Sequence, residues 1–441
     1  MIERAADVLI TNACVLTCED RTVVDGGALA ISRDRITWIG PESQVPAAIR
    51  VGATVVDVGG KTVIPGLVDA HMHISFGEAA SEEELYLHTP MGYRAIRAAV
   101  DARRVLLAGV TTSCDPGGPR GIATAVRDAI DIGLIEGPRM AAAGRQMTTQ
   151  QGIGDSLPAP LGDAPTSYGA IVRSWHDIVQ VIRDEVKEGV DMVKVAGSGP
   201  GTIEYGAFSL DELRLITSEV HRLDRPTAIH ARSRQSIADA VEAGFDWLMH
   251  ASYMDAATAE KVAERRIPIV PAMTLLVNFL EAGPGWMPQE ALDGIKRELE
   301  SAVDVLGRAW RNGVTLVAGS ESGFAMTPYG EWHTREMELF VDLLGMSDFD
   351  ALLCMTKYAG SAIPRFGHEV GTLAPGKFAD LLVVDGRPDK DVKILGQRNR
   401  LLKVMKGGQF VDLSVPVPER IMQSFERTRI YTRGLHRRRG S

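Results

Sequence analysis

The chain has 441 residues, a formal net charge of −9 at pH 7 and 45% apolar residues. This length exceeds one small domain and suits a large barrel of about 250 residues with an accessory domain. The acidic balance argues against nucleic acid and anionic membranes as partners, because both select a basic face, and no apolar run reaches the roughly 20 residues of a membrane span.

The first residues, Met1-Ile2-Glu3-Arg4, lack the apolar core of a signal peptide, so we expect a cytoplasmic protein. A basic stretch at 427–439 is expected to be a solvated or subunit-contacting terminus. The cysteines form no C-x-x-C pair, which predicts buried thiols rather than disulfides or a structural zinc site. They are Cys14, Cys18, Cys114 and Cys354.

Residues 7–58 alternate short β-rich runs with turn residues such as Asp25-Gly26-Gly27, a pattern that predicts antiparallel strands and no helix. The far end of the chain has the same pattern at 380–385, 401–405 and 409–411. We therefore expect both ends of the chain to build one β-domain.

Between the two ends, eight apolar β-rich runs alternate with helical patterns, which is typical of parallel strands wound by helices. Eight such units favour a closed (β/α)8 barrel over an open sheet. One helix start is explicit, because Ser209 and Glu212 have capping-box spacing. The eight runs are 62–73, 109–115, 139–144, 191–197, 226–231, 245–251, 267–273 and 314–322.

The first run ends in a histidine doublet, His71 and His73. Residues two apart on a strand project to the same face, so both imidazoles can address one ion. With ten histidines in the chain, such a doublet arises by chance in about one sequence in four or five. Further candidate ligands support the doublet, because each lies in or at the C-terminal end of a predicted strand, where barrel active sites are built. They are Lys194, His230, His250 and Glu321.

Lys194 is flanked by valines, and an inward-facing lysine is costly to bury in its charged form. It must therefore be paired with an anion, neutral or modified. For a lone lysine a salt bridge is the ordinary explanation, whereas the accompanying histidines favour a metal site.

These residues resemble the amidohydrolase superfamily, in its imidazolonepropionase-like and dipeptidase-like branch. The resemblance extends over nearly the whole chain and rests on motifs that occur in the right order. They are P-G-L-V-D-A-H-M-H at 65–73, G-V-T-T-S-C-D at 109–115, G-P-R-M at 137–140, the spacing from Lys194 to His230 to His250, and G-T-L-A-P-G-K-F-A-D-L at 371–381.

The resemblance implies an α/β fold in which a TIM barrel, (β/α)8, covers residues 64–368. It also implies a small β-sandwich domain that both termini build, from residues 1–63 and residues 369–441. In this family the motif at 371–381 returns the chain to that sandwich.

The resemblance also implies two divalent metal ions. His71 and His73 would bind the more buried ion, His230 and His250 the more exposed one, and Lys194, carboxylated by CO2, would bridge them. Two such ions acidify a shared water. Zinc suits imidazole and oxygen ligands, while manganese, cobalt and iron remain open.

The chain departs from the family pattern at the end of the eighth strand, where the family has an aspartate that binds metal and takes a proton from water. Here the sequence is A-G-S-E-S-G at 318–323, so that Glu321 moves the carboxylate outward by about 1.5 Å, more than the roughly 0.5 Å that catalytic geometry tolerates. We expect Glu321 to act as the base in a remodelled site. A one-metal site and a poor catalyst remain alternatives.

Substrate-binding candidates lie in the predicted loops. Dipeptidase-like relatives carry T-G-G-H-G-D, whose histidine contacts substrate, whereas this chain has Ile153 at that place in Q-Q-G-I-G-D. Arg232 is expected either to meet a substrate carboxylate or to form a structural salt bridge. The remaining candidates are Arg145, Tyr253 and His333.

The leading hypothesis is metal-dependent hydrolysis of a C–N bond in an amide, urea, carbamate or small peptide. We expect a small-molecule substrate and a homo-oligomer, in which apolar segments such as 91–107 pack between subunits. One alternative is a mononuclear aminohydrolase or halide-releasing enzyme that acts on a heterocycle, although Lys194 argues against it. Another is a non-catalytic homologue that binds metal and ligand.

Overall fold

The computed structural model describes residues 6–81, 84–155, 157–164, 166–199, 205–419, 436 and 438. Within these ranges no helix is both long and apolar enough to cross a membrane. The strands are β1 (Val8–Leu16), β2 (Val23–Ser32), β3 (Arg35–Pro41), β4 (Thr54–Asp57), β5 (Thr62–Pro65), β6 (Leu67–Asp69), β7 (Val110–Asp115), β8 (Arg139–Ala142), β9 (Gln146–Thr148), β10 (Gly169–Ile171), β11 (Val193–Ala196), β12 (Thr227–Ala231), β13 (Trp247–His250), β14 (Ile269–Val270), β15 (Leu381–Val384), β16 (Leu401–Lys406) and β17 (Gln409–Phe410).

The helices lie mostly between the parallel strands. They are α1 (Ala47–Arg50), α2 (Met91–Leu107), α3 (Ile122–Asp131), α4 (Trp175–Lys187), α5 (Leu210–Arg222), α6 (Arg234–Ala243), α7 (Ala256–Arg265), α8 (Met273–Ala282), α9 (Gln289–Arg311), α10 (Arg335–Leu344), α11 (Asp348–Cys354) and α12 (Lys357–Ala362). The predicted capping box is confirmed at α5, where the Ser209 hydroxyl accepts from the Glu212 backbone and the Glu212 carboxylate accepts from the Ser209 backbone.

Strands from both ends of the chain pair in one mixed sheet. Its order is β17-β16-β15-β5-β1-β2-β3, with β4 beside β1. β5 pairs antiparallel with β15 and parallel with β1, so the N-terminal and C-terminal strands meet there. One face buries alternate apolar residues, among them Ile10, Leu29, Val63 and Leu381.

The prediction that residues 7–58 contain no helix is wrong. A short helix, α1, follows Pro46 and buries Ile49. Ile49 packs with Val45 and Leu9 on the other face of this mixed sheet, the terminal sheet, which strands from both ends of the chain build. A single turn with one buried side chain has too few residues to show helical periodicity.

The central strands are parallel and form two sheets, β6-β7-β8 and β10-β9-β11-β12-β13-β14. Isolated parallel bridges join Ala143 to Met192, Ile269 to Leu316, and Met72 to Ser322. These bridges connect the two sheets to each other and to the segment 314–322.

Two predicted runs differ from the observed strands. The first run is divided at Gly66 into β5 of the terminal sheet and β6 of a parallel sheet. A Cβ at Gly66 would lie 2.0 Å from the Thr111 Oγ1 atom, so the backbone at this point packs directly against the Thr111 side chain. The eighth run forms isolated bridges at Leu316 and Ser322 but no continuous strand, and Glu321 near its end adopts a left-handed φ of 55°.

The four cysteines are buried and free, as predicted. The predicted solvated or subunit-contacting tail at 427–439 lies largely outside the described residues. Within it, Arg438 forms an ion pair of 2.7 Å with Glu338, and the backbone of His436 donates to Ala325. His436 therefore contacts the loop that follows Glu321, and Arg438 contacts α10.

Candidate metal centre

The predicted ligands come from separate parallel segments that end at one place. His71 and His73 follow β6, Lys194 lies in β11, His230 lies in β12, and His250 ends β13. Like Glu321, all of these residues are buried. Strands that run in the same direction deliver their last residues to the same edge, which explains the convergence.

Three of the predicted ligands form a group that could hold a metal ion. Ligand atoms of His71, His250 and Glu321 all lie within 4.8 Å of one another. His73 adjoins this group, with its Nε2 atom 3.2 Å from His71 Nε2 and 3.7 Å from Glu321 Oε1. The His230 ring lies 4.4 Å from the His250 ring. The structure thus brings the four histidines and the glutamate together.

The ring nitrogens are arranged for a cation. His73 Nδ1 lies 2.6 Å from the Gly117 carbonyl and His250 Nδ1 lies 3.3 Å from the Pro271 carbonyl. A carbonyl can only accept, so each ring carries a proton on Nδ1, which leaves Nε2 as the atom that could bind a metal. This is the contact that fixes a metal-binding histidine.

Several buried polar atoms of the cluster have no hydrogen-bond partner among the described residues. Each is costly to bury alone, and a cation bound between His250 and Glu321 would satisfy the unpartnered atoms of these two residues. The donor set, imidazole nitrogens with a carboxylate, suits zinc and similar divalent ions. These atoms are His71 Nδ1, His230 Nε2, His250 Nε2 and Glu321 Oε2.

Burial and nearby cations lower the pKa values of His71, His230 and His250 well below the ordinary range. These rings are therefore neutral at pH 7, which is the form that binds metals. Burial also lowers the pKa of His73, but hydrogen bonds with Asp115 and Glu321 raise it to about 9. The carboxylates of Asp115 and Glu321, which stabilise the additional proton on His73, would also attract a metal cation.

The pKa of the Glu321 carboxyl is lowered, in spite of its burial. Burial raises it, but the electrostatic interaction with His71 and the hydrogen bond with His73 bring it down to about 2. Glu321 is thus a carboxylate at neutral pH, as a base or a metal ligand must be.

Lys194 is 1% exposed, and its ammonium donates to the thioether sulfur of Met249, a weak acceptor. Burial lowers the pKa of Lys194 to about 8. A larger fraction of this amine is therefore neutral at pH 7 than in an exposed lysine, and the neutral amine is the form that reacts with CO2.

The turns that present the ligands are held in unusual backbone conformations. His250, Ala251, Ala272 and Glu321 have φ values of 73°, 56°, 52° and 55°, in the left-handed region that non-glycine residues seldom adopt. Each such backbone conformation costs about 1–3 kcal/mol and persists only where the surrounding structure enforces it. Residues of this kind cluster at functional sites.

Arg232 lies beside the cluster, where it lowers the pKa values of His230 and His250. Its Nε atom is 3.2 Å from the carboxylate of Glu298, which also accepts from Ser252. The structure thus contains the salt bridge that was one of the two expectations for Arg232, and a role toward substrate stays a prediction.

Ile153 and Tyr253 lie in loops, as expected. Ile153 is partly buried against an apolar cluster that includes Phe76 and Tyr168, and the Phe76 ring stacks on His73 at 4.1 Å. The backbone of Tyr253 donates to Arg232. Contact of either residue with substrate stays a prediction.

Two other candidates are engaged away from the imidazoles. Arg145 faces α4, with its backbone donating to Glu185 and its Nε atom 3.6 Å from the same carboxylate. His333 is 1% exposed, and both of its ring nitrogens contact protein atoms, those of Asp69 and Gly330. The structure does not bring these two side chains into the ligand cluster.

Asp69 and Asp115 support the ligands but were not among the predicted site residues. Asp115 accepts from the backbones of Ile74 and Gly117, which positions the carbonyl that His73 contacts. Both aspartates lie in the motifs at 65–73 and 109–115. A buried acidic residue at the end of an apolar strand was the available signal.

Known proteins resemble this chain in sequence and structure. A model of the amidohydrolase family matches residues 62–411. Ochratoxinase of Aspergillus niger is 25% identical over 429 residues, which cover 92% of this chain and 86% of that protein. Imidazolonepropionase of Anaeromyxobacter sp. (strain K) is 26% identical over 450 residues, which cover 93% and 97% of the two chains.

Solved structures show the same fold. The crystal structure of A. niger ochratoxinase matches with a TM-score of 0.83 and 24% identity, over 92% of this chain and 96% of that chain. A prolidase complexed with N-methylphosphonate-L-proline matches with a TM-score of 0.82 and 25% identity, over 92% and 99%. The arrangement of strands and helices is therefore shared over nearly the full length of these proteins.

Proposed function

Because this chain belongs to the amidohydrolase family and is a hydrolase of carbon–nitrogen bonds, we propose that it cleaves an amide, urea, carbamate or small-peptide bond at a two-metal centre. The observation that carries the proposal is the buried cluster of His71, His250 and Glu321, whose ligand atoms lie within 4.8 Å of one another and in which His250 Nε2 and Glu321 Oε2 have no hydrogen-bond partner among the described residues. The substrate is a small molecule.

The predicted ligands would bind the two ions in the following way. His71 and His73 would hold one ion, His230 and His250 the other, and Lys194, as a carbamate, would lie between them. Bound divalent ions, with zinc the first candidate, would acidify a water and polarise the substrate carbonyl.

Glu321 would move the proton in this reaction. As a carboxylate with a pKa of about 2, it is ionised at neutral pH and can accept a proton from the attacking water. It would then give this proton to the leaving nitrogen as the C–N bond breaks. The buried position of Glu321, 7% exposed, keeps bulk water from competing for that proton.

We also propose how the parallel segments and the two ends of the chain are organised into domains. The eight parallel segments would form a closed (β/α)8 barrel over residues 64–368, which the bridges from Ile269 to Leu316 and from Met72 to Ser322 support. Residues 1–63 and 369–441 would form a β-sandwich domain, which the pairing of β5 with β15 supports. A cytoplasmic location and a homo-oligomer stay predictions, the latter to be tested by light scattering.

The test is metal content and hydrolysis by the purified full-length chain. We expect two ions per chain and cleavage within a panel of N-acyl amino acids, dipeptides, ureas and carbamates. Lys194→Ala and His230→Ala should lose metal and activity together. His221→Ala is the matched control, because His221 is exposed and pairs with Asp246.

Other results would favour the alternatives. Full activity of Lys194→Ala or His230→Ala would overturn the proposal. One ion per chain, with release of ammonia or halide from a heterocycle, would identify the mononuclear enzyme. Bound metal without hydrolysis, and activity gained in Glu321→Asp, would identify a homologue that glutamate has disabled.

A further inference from the structure

Asp69 connects the first and last parallel segments of the site. Its carboxylate, fully buried, accepts four hydrogen bonds. The backbones of His71 and Ser320 donate to Oδ1 at 3.2 and 3.0 Å. The Ser320 hydroxyl and His333 Nδ1 contact Oδ2 at 2.6 and 2.7 Å. One carboxylate therefore ties the strand that carries His71 to the segment that carries the predicted base.

The turn around Glu321 depends on this connection. The Ser320 hydroxyl, besides donating to Asp69, accepts from the Ser322 backbone at 3.1 Å, which closes the turn over Glu321. The Glu321 backbone donates to the His71 carbonyl at 2.7 Å. Glu321 holds a φ of 55°, a conformation that persists only where the surroundings enforce it.

His333 completes the set of donors around Asp69. The Gly330 backbone N–H donates to His333 Nε2 at 3.0 Å, so the ring carries its proton on Nδ1 and donates it to Asp69. His333 follows the turn in sequence and is 1% exposed. It thus links the loop after Glu321 back to the first strand.

We propose that His333 is a positioning residue that acts through Asp69 and Ser320 to fix the Glu321 carboxylate relative to His71. The inference rests on the proposed metal centre. Glutamate has one more rotatable bond than aspartate, so a site that uses Glu321 gains more from a fixed backbone. A shift of the turn by more than about 0.5 Å would take the carboxylate out of productive geometry.

A pair of variants separates the link to Asp69 from ordinary packing. In His333→Asn the amide nitrogen takes the place of Nδ1 and keeps the bond to Asp69. In His333→Gln the amide takes the place of Nε2 and keeps the contact with Gly330. Each variant loses one hydrogen bond, so both should lower the midpoint of thermal unfolding by similar amounts.

The probe is Co2+ added to the metal-free, full-length protein, with its visible absorption as the readout of ligand geometry. We expect His333→Asn to give the wild-type spectrum. His333→Gln should give an altered spectrum and a Co2+ affinity about 10- to 100-fold weaker, which is the usual effect of removing a residue that orients metal ligands. On any panel substrate that the wild type cleaves, the Gln variant should lose kcat while KM changes little.

The outcomes are separable. Wild-type behaviour of His333→Gln, or equal defects in both variants, would overturn the inference and leave His333 a packing residue. If the wild type binds Co2+ but cleaves no panel substrate, the hydrolase proposal fails while the spectral difference still supports positioning. Failure of the wild type to bind Co2+ overturns both. If neither variant folds, Ser320→Ala, which removes only the hydroxyl, must show the altered spectrum.

Discussion

At the scale of single residues, the distance between the first and eighth segments depends on Gly319. A Cβ at this position would lie 2.6 Å from the Cβ atom of His71 and 2.6 Å from Cγ1 of Val270. Side chains at that separation overlap, so only glycine lets the eighth segment approach His71 this closely. The ligand geometry thus depends on a residue that has no side chain.

Gly319→Ala should therefore damage the site. We expect a loss of about 1–3 kcal/mol in the free energy of unfolding, because the core is overpacked, and a lower metal content, because His71 must move. The control is Gly92→Ala in α2, where an added Cβ meets nothing within 4 Å. That exchange should raise stability by up to about 1 kcal/mol and leave metal content unchanged. Urea unfolding measures the stability of the two variants, and elemental analysis measures their metal content. Normal metal content in Gly319→Ala would contradict the prediction.

Glu185 predicts a pH dependence of stability. Burial raises the pKa of this carboxyl to about 7, although Arg145 opposes the shift. Between pH 4.5 and 7 the folded state keeps a proton that the unfolded state has lost. The stabilising contribution is therefore complete below about pH 4.5 and is lost as pH rises through 7.

The measurement compares wild type with Glu185→Gln in urea at about pH 5 and about pH 8. Relative to the variant, the wild type should lose roughly 2.5 kcal/mol of unfolding free energy between these conditions. Glu260→Gln, at an exposed position in α7, should show no such difference. Parallel pH profiles for wild type and Glu185→Gln would show that Glu185 titrates normally in the folded protein.

At the scale of elements, the start of α5 could be predicted from neighbouring residues alone. Its capping box was readable from Ser209 and Glu212 because both partners lie within one helical turn. Ser209→Ala should lower the free energy of unfolding by about 0.5–2 kcal/mol, with no change in activity. Ser218→Ala, exposed in the same helix, should be neutral or slightly stabilising. Thermal unfolding measures both, and equal effects would contradict the capping role.

Elements that depend on distant contacts were not predictable in the same way. β9 and β10 have three residues each and were missed, because so short a segment shows no period. Gly66 packs closely against Thr111, and Asp69 binds the backbone of Ser320 in the eighth run, so both contacts join residues that are distant in sequence. The strand-end positions of the histidines could be read from the sequence because each follows an apolar run, whereas the contacts that orient them could not.

At the scale of the whole molecule, the terminal sheet supports the site. β5 pairs with β15 on one side and with β1 on the other, and only Gly66 separates it from β6, which leads into His71 and His73. The family match at 62–411 begins with β5 and ends just after β17. The C-terminal strands therefore belong with the part of the chain that carries the predicted ligands, in sequence as well as in hydrogen bonding.

A chain that ends at residue 368 tests this dependence. It lacks β15, β16 and β17, so β5 becomes an exposed edge whose buried residues, such as Val63 and Ile64, face water. Such an edge favours association with other chains. We expect aggregation in gel filtration and loss of Co2+ binding, since the strand that carries His71 loses its anchor. The control chain ends at residue 419 and keeps every strand of the terminal sheet. A monodisperse 1–368 chain with full Co2+ affinity would show that the barrel holds its ligands without the sheet.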